Sequence, residues 1–194
     1  GKVDLSRIMI IGHSRGGEAV GHASLFNRMS QVQFDLDKPS ILLDGSQGLG
    51  PYGFNLRGVV AIAPTDGQYV LVSGQRTQVR DNYLLLHGSR DGDVSTFEGY
   101  KTYDRSHAVD LAKPTQLAQG FKSLLWIHHA NHNYFNSVWG QESERTLGRN
   151  QQEQIAKVYL SALAQAVLQD KLEYMDLLRN HRFGVEAGWL PTDI

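Results

Sequence analysis

The chain has 194 residues, a formal net charge of −1 and no cysteine. That length suffices for a domain with a real hydrophobic core. The near-neutral charge supplies no bulk field for nucleic acid or an anionic membrane, and without cysteine there is neither a disulfide framework nor a thiolate nucleophile. No apolar run approaches the roughly 20 residues needed to span a bilayer, and cysteine usage alone fixes no compartment.

The first apolar run is RIMIIG, residues 7–12. It is continuous rather than alternating, as in a strand covered on both faces. GHSRGG follows at once, residues 12–17, and a helical segment extends to about residue 28. Gly12, Ser14 and Gly16 form G-x-S-x-G, a pattern that is weak alone and gains force from this strand-to-helix setting. The turn strains the serine, points its hydroxyl out of the sheet and leaves it at a helix N-terminus, which favours developing negative charge. Ser14 is therefore the candidate nucleophile. An incidental serine in a tight turn is the plainer alternative.

Residues 35–55 are rich in Gly, Pro and Asp and read as a surface excursion. Their GSQGLG lacks the lysine and the following helix of a phosphate loop. RGVVAIAP (57–64) and NYLLLHG (82–88) are two further short apolar runs bounded by turn residues. With KSLLWIHHA (122–130) they complete four strands, and the long connections between them are what parallel crossovers require. Near the end, residues 150–170 carry Ile155, Tyr159, Ala162, Leu163 and Ala166 on one helical stripe suited to packing on a sheet. The expected fold class is α/β, a mostly parallel sheet flanked by helices.

A serine hydroxyl attacks poorly until a base accepts its proton. WIHHANHNYFN, residues 126–136, offers His128, His129 and His132. The first two lie within the apolar run and would alternate between strand faces. His132 falls in the polar loop beyond it and is the favoured base. A metal at His128 and His132 would need helical spacing and a third ligand. The base in turn needs a carboxylate to hold its tautomer. Asp91 lies just past the third run, with Asp93 as the alternative, and either could instead cap a helix starting near Ser95.

Taken in the order Ser14, Asp91, His132, these elements resemble the α/β-hydrolase superfamily. GHSRGG, HGSRDGDV and ANHNYFN are most similar to bacterial serine esterases of the chlorophyllase, cutinase and polyester-hydrolase neighbourhood. The resemblance implies an acyl-enzyme on Ser14, proton shuttling by His132, orientation by Asp91 and no cofactor or metal. It also implies that the backbone N–H of Arg15 belongs to the oxyanion hole. The pocket would lie above the C-terminal strand ends, with walls drawn from PTDGQY (64–69), including Asp66 and Tyr69, and from His13, Tyr134 and Phe135. The substrate would be a small or polymeric ester, with an amide as the rival on the same fold and a non-catalytic fragment as the third reading.

In that superfamily about four strands and an oxyanion loop precede the nucleophile turn. The resemblance therefore makes residues 1–194 one hydrolase domain in its C-terminal portion, completed by an N-terminal segment or by another chain.

Overall fold

The computed structural model describes residues 4–106, 121–137 and 145–190. In chain order come β1 (Ile8–His13), α1 (Arg15–Phe26), β2 (Gln31–Val32), β3 (Ile41–Leu42), β4 (Leu56–Ile62) and β5 (Tyr83–Gly88). They are followed by α2 (Gly99–Arg105), β6 (Lys122–Ile127), α3 (Arg149–Leu168), α4 (Met175–Arg179) and α5 (His181–Glu186). The strands β1, β4, β5 and β6 form one sheet in that order, and each neighbouring pair is parallel. Among the described residues, no helix is long and apolar enough to cross a membrane.

The continuous apolar runs reflect helices on both faces of this sheet. Along β4 and β5, Val59, Ala61, Tyr83 and Leu85 face one core, which Val20 of α1 joins. Val60, Ile62, Leu84 and Leu86 face the other, with Ile155, Tyr159 and Leu163 of α3 packed against them. A strand alternates its side chains between faces, so a strand buried on both must be apolar throughout.

Three boundaries differ from the sequence reading. The 35–55 excursion is not purely superficial: β3 pairs antiparallel with β2, and Leu43 joins Leu25, Val32 and Leu71 in a small buried cluster. The helix after Asp91 begins at Gly99 rather than near Ser95. The last strand stops at Ile127, so His128 and His129 do not alternate across it. Both are exposed in the following turn, their rings stacked 4.0 Å apart.

The passage from β1 to α1 is close-packed backbone. A Cβ on Gly12 would fall 1.9 Å from the Gly16 carbonyl oxygen, and one on Gly17 would fall 2.9 Å from Pro64 Cβ. By contrast, a Cβ on Gly16 would meet nothing within 4 Å. The two glycines of the G-x-S-x-G pattern are therefore physically unequal. Gly12→Ala should lower unfolding free energy by about 2 kcal/mol or more, because backbone rather than a flexible side chain must give way. Gly16→Ala should stay within about 0.5 kcal/mol of the parent, helped by alanine's better helix propensity. Urea unfolding of both variants checks the ordering; equal losses would contradict it.

Candidate active site

Ser14 sits between β1 and α1 at φ 59°, ψ −124°. The first angle lies in the left-handed region that residues with a Cβ rarely occupy. The conformation is held from both sides. Ser14 N–H donates to Ile62 O at 2.9 Å, and Ser14 O accepts from Gly17 N at 2.9 Å and Glu18 N at 3.3 Å. Among the described residues, the Ser14 hydroxyl makes no hydrogen bond. Arg15 opens α1, and a first-turn N–H has no acceptor within its own helix. It is thus available to a ligand oxygen beside Ser14.

The turn after β5 supplies a carboxylate with two separate tasks. Asp91 Oδ1 accepts from Val94 N at 2.6 Å and from Asp93 N at 3.0 Å, which closes its own turn. Its Oδ2 lies 2.8 Å from His132 Nδ1. Burial pushes the Asp91 pKa up, but the His132 hydrogen bond and the Val94 N–H outweigh it, so the carboxyl is held below its ordinary range. A second histidine, His87, approaches the same oxygen to 3.9 Å. Burial lowers its pKa to about 4, so it is neutral around pH 7 and does not compete as a cation.

His132 is fixed by the segment around it. Gly88 and Ala130 meet so closely that a Cβ on the glycine would fall 2.3 Å from Ala130 O. Gln152 of α3, fully buried, bonds Asn131 reciprocally: its Nε2 donates to Asn131 O at 2.7 Å, and its Oε1 accepts from Asn131 N at 3.0 Å. Asn131 Oδ1 then accepts from Asn133 N and Tyr134 N. This is a local side-chain turn in which His132 precedes a short 3₁₀ segment.

Ser14, Arg15, His13 and His132 line one cavity of about 570 Å³ at the C-terminal rim of the sheet. His13 Nε2 lies 2.9 Å from His132 O, with the two rings 4.6 Å apart, and Phe135 packs 6.1 Å from His13. Burial lowers the His13 pKa, which favours the neutral ring. Asp93 faces this cavity, while Asp91 holds the histidine behind it.

Four candidate wall residues are outside that lining, among them Phe135, which packs against His13. Asp66 is buried and bound by Arg105 and by the Thr102 hydroxyl. Tyr69 turns its ring edge to His22 at 6.0 Å. Tyr134 is buried beneath the Arg149 guanidinium, 4.5 Å from the ring centre. Within the 64–69 segment it is Thr65 and Gln68 that reach the cavity, joined by Val94 from the far side. A further residue, Glu18, is 1% exposed on the inner face of α1. The signal for it was a carboxylate flanked by Gly17 and Gly21, where small residues mark the face of a helix that packs closely.

No family model and no curated protein matches the chain. Eleven solved chains match it in part, among them the following two. One is a truncated carbohydrate esterase from gut microbiota, at 17% identity and a TM-score of 0.40, covering 67% of this chain and 54% of its own. The other is a bifunctional GH43-CE protein of Bacteroides eggerthii, at 16% identity and a TM-score of 0.41, covering 67% of this chain and 20% of its own. The chain thus spans about half the length of the first and a fifth of the second.

The depressed Asp91 pKa gives a pH dependence with a definite sign. A carboxyl whose folded pKa lies below its unfolded value of about 3.9 contributes stability above that pH, and loses it as the pH falls. Asp91→Asn should therefore cost most at neutral pH. The difference from the parent should shrink as acid is added below about pH 4. Urea unfolding at a series of pH values measures it, and a gap that widens on acidification would contradict the assignment.

Proposed function

We propose that the chain is a serine ester hydrolase of the α/β-hydrolase superfamily, in the esterase neighbourhood that GHSRGG, HGSRDGDV and ANHNYFN resemble. The observation that carries this reading is the 2.8 Å Asp91–His132 hydrogen bond opening onto the cavity that Ser14 lines. The strained serine backbone and the ionised state favoured for Asp91 support it further.

On this reading Ser14 Oγ attacks the ester carbonyl carbon while His132 Nε2 takes its proton. Asp91 keeps the opposite ring nitrogen protonated and stabilises the imidazolium that forms. The carbonyl oxygen becomes an oxyanion facing the Arg15 N–H and the start of α1. As the tetrahedral intermediate collapses, the carbon–oxygen bond to the alcohol breaks, and the alcohol leaves with the proton from His132. Water then gives a proton to His132 as its oxygen bonds the acyl carbon; the carbon–Oγ bond breaks, the acid leaves, and Ser14 Oγ takes the proton back from His132. Ser14 and His132 line one cavity without a hydrogen bond between them; catalytic hydrogen bonds in such sites tighten in the complex. The cavity walls are His13, Arg15, Thr65, Gln68 and Asp93, with Val94 the apolar exception. That lining suits a short acyl group and a polar ester better than a long acyl chain.

A fluorophosphonate probe should label Ser14 stoichiometrically, as peptide mass mapping would detect. Ser14→Ala should abolish both labelling and turnover of p-nitrophenyl acetate, and His132→Ala should slow turnover by about a thousandfold or more. Faster cleavage of matched p-nitroanilides than of esters would make the protein an amidase. No labelling, or labelling at another residue, would overturn the serine mechanism.

A further inference from the structure

Glu18 has no part in the acyl-transfer steps, yet it is among the most tightly bound side chains in the molecule. The helix that carries it lies close against the segment after β4. A Cβ on Gly21 would fall 2.1 Å from Thr77 Cγ2. Into this contact Glu18 brings a carboxylate that is 1% exposed. It accepts from Thr65 Oγ1 at 2.7 Å, Gly67 N at 2.8 Å, Tyr69 N at 3.1 Å and Gln68 N at 3.2 Å. His22 Nε2 stands 3.8 Å away and also lies 3.1 Å from Tyr69 O. Burial raises the Glu18 pKa, but the nearby His22 ring and the hydrogen bonds from Thr65, Tyr69 and Gly67 outweigh it and hold it at about 2. An isolated buried carboxylate would be costly; this one is ionised and fully satisfied.

The consequence falls on the 65–69 loop. Four anchor points to one carboxylate, from Thr65, Gly67, Gln68 and Tyr69, leave that loop little freedom, and they decide which way its side chains turn. Asp66 goes inward to Arg105 and Thr102. Gln68 goes to the cavity, which it shares with Ser14 and His132. Its backbone is held by Glu18, while its side-chain amide has no hydrogen-bond partner among the described residues. An exposed amide with both donor and acceptor free, on an immobilised backbone, is a ready-made partner for hydroxyl groups.

We propose that Gln68 binds hydroxyl groups of the ester held at Ser14, and that Glu18 is the positioning residue that keeps Gln68 aimed there. The proposal rests on the serine-hydrolase reading and adds to it a substrate class: esters whose alcohol or acyl part carries free hydroxyls close to the scissile bond. Glu18 thereby acts on selectivity through a loop, without touching substrate.

The test compares glycerol monoacetate with propyl acetate, which differ in the hydroxyls beside a similar acetyl ester. The parent should prefer the hydroxylated ester in kcat/KM. Gln68→Ala and Glu18→Gln should each lower that preference about fivefold, through KM for glycerol monoacetate. The double variant should fall no further than Gln68→Ala alone, because both act through one side chain. A purely architectural Glu18 would slow both esters alike and leave their ratio unchanged, which would overturn the positioning role. Should Glu18→Gln fail to fold, Gln68→Ala decides: an unchanged ratio overturns the proposal. A parent that neither turns over these esters nor labels at Ser14 overturns the hydrolase reading and this inference with it. A parent that labels but shows no preference overturns this inference alone.

Discussion

The hydrogen bond between Asp91 and His132 is the contact around which the rest of this rim is arranged. It joins the turn after β5 to the loop after β6, just beyond the backbone bond from Arg90 N to Ala130 O at 2.8 Å. It does so with one oxygen while the other closes the aspartate's own turn. The bond needs both loops to be held still. The approach of Gly88 to Ala130 fixes the height of one loop over the other, and the buried Gln152 amide fixes Asn131 from α3. His87, neutral and layered against Phe97 and Trp126 with centroids 4.4 and 5.4 Å away, helps to keep this side of Asp91 dry. In such surroundings a carboxylate interacts more strongly with an imidazolium than it would in water.

The opposite wall of the cavity is organised by the same kind of physics. There a second buried carboxylate, Glu18, gathers backbone N–H groups from the loop after β4. Each acid is buried, which alone would drive it neutral, and each is held ionised by donors that converge on it. Both loops follow the C-terminal ends of parallel strands, where chain reversals must occur in any such sheet. The helices bring polar anchors to those reversals: Glu18 from α1 and Gln152 from α3. The central strands are thus apolar on both faces, whereas the helices are not apolar along their whole inner stripe. Glu18, His22 and Ser24 share the buried face of α1, and Ser24 continues it to the buried Asp81, which Arg28 also reaches.

This division explains what could be read from the amino-acid string. Runs such as VVAI and LLLH announce strands covered on both sides, because only burial on two faces removes the polar alternation. Asp91 and His132 stood out because each closely follows such a run. Side-chain direction inside the loops was not legible. Beyond Pro64 no period of 2.0 or 3.6 governs the chain, so nothing local distinguishes Asp66 and Tyr69 from Thr65 and Gln68. The deciding partner, Glu18, is 47 to 51 positions distant in sequence. Tyr134 is likewise placed by its partners: its N–H donates to Asn131 Oδ1, and its ring is buried beneath Arg149. His128 and His129 read as strand because their neighbours are apolar, yet His129 adopts φ 58°, and the chain has already left the sheet.

The most direct test of the account is a crystal structure of the protein after reaction with a phosphonate ester that mimics the tetrahedral intermediate. We expect phosphorus bonded to Ser14 Oγ, with one of its oxygens within about 3 Å of His132 Nε2 and the Asp91 contact unbroken. Phosphorus on a different side chain, or an imidazole turned away from the adduct, would contradict it.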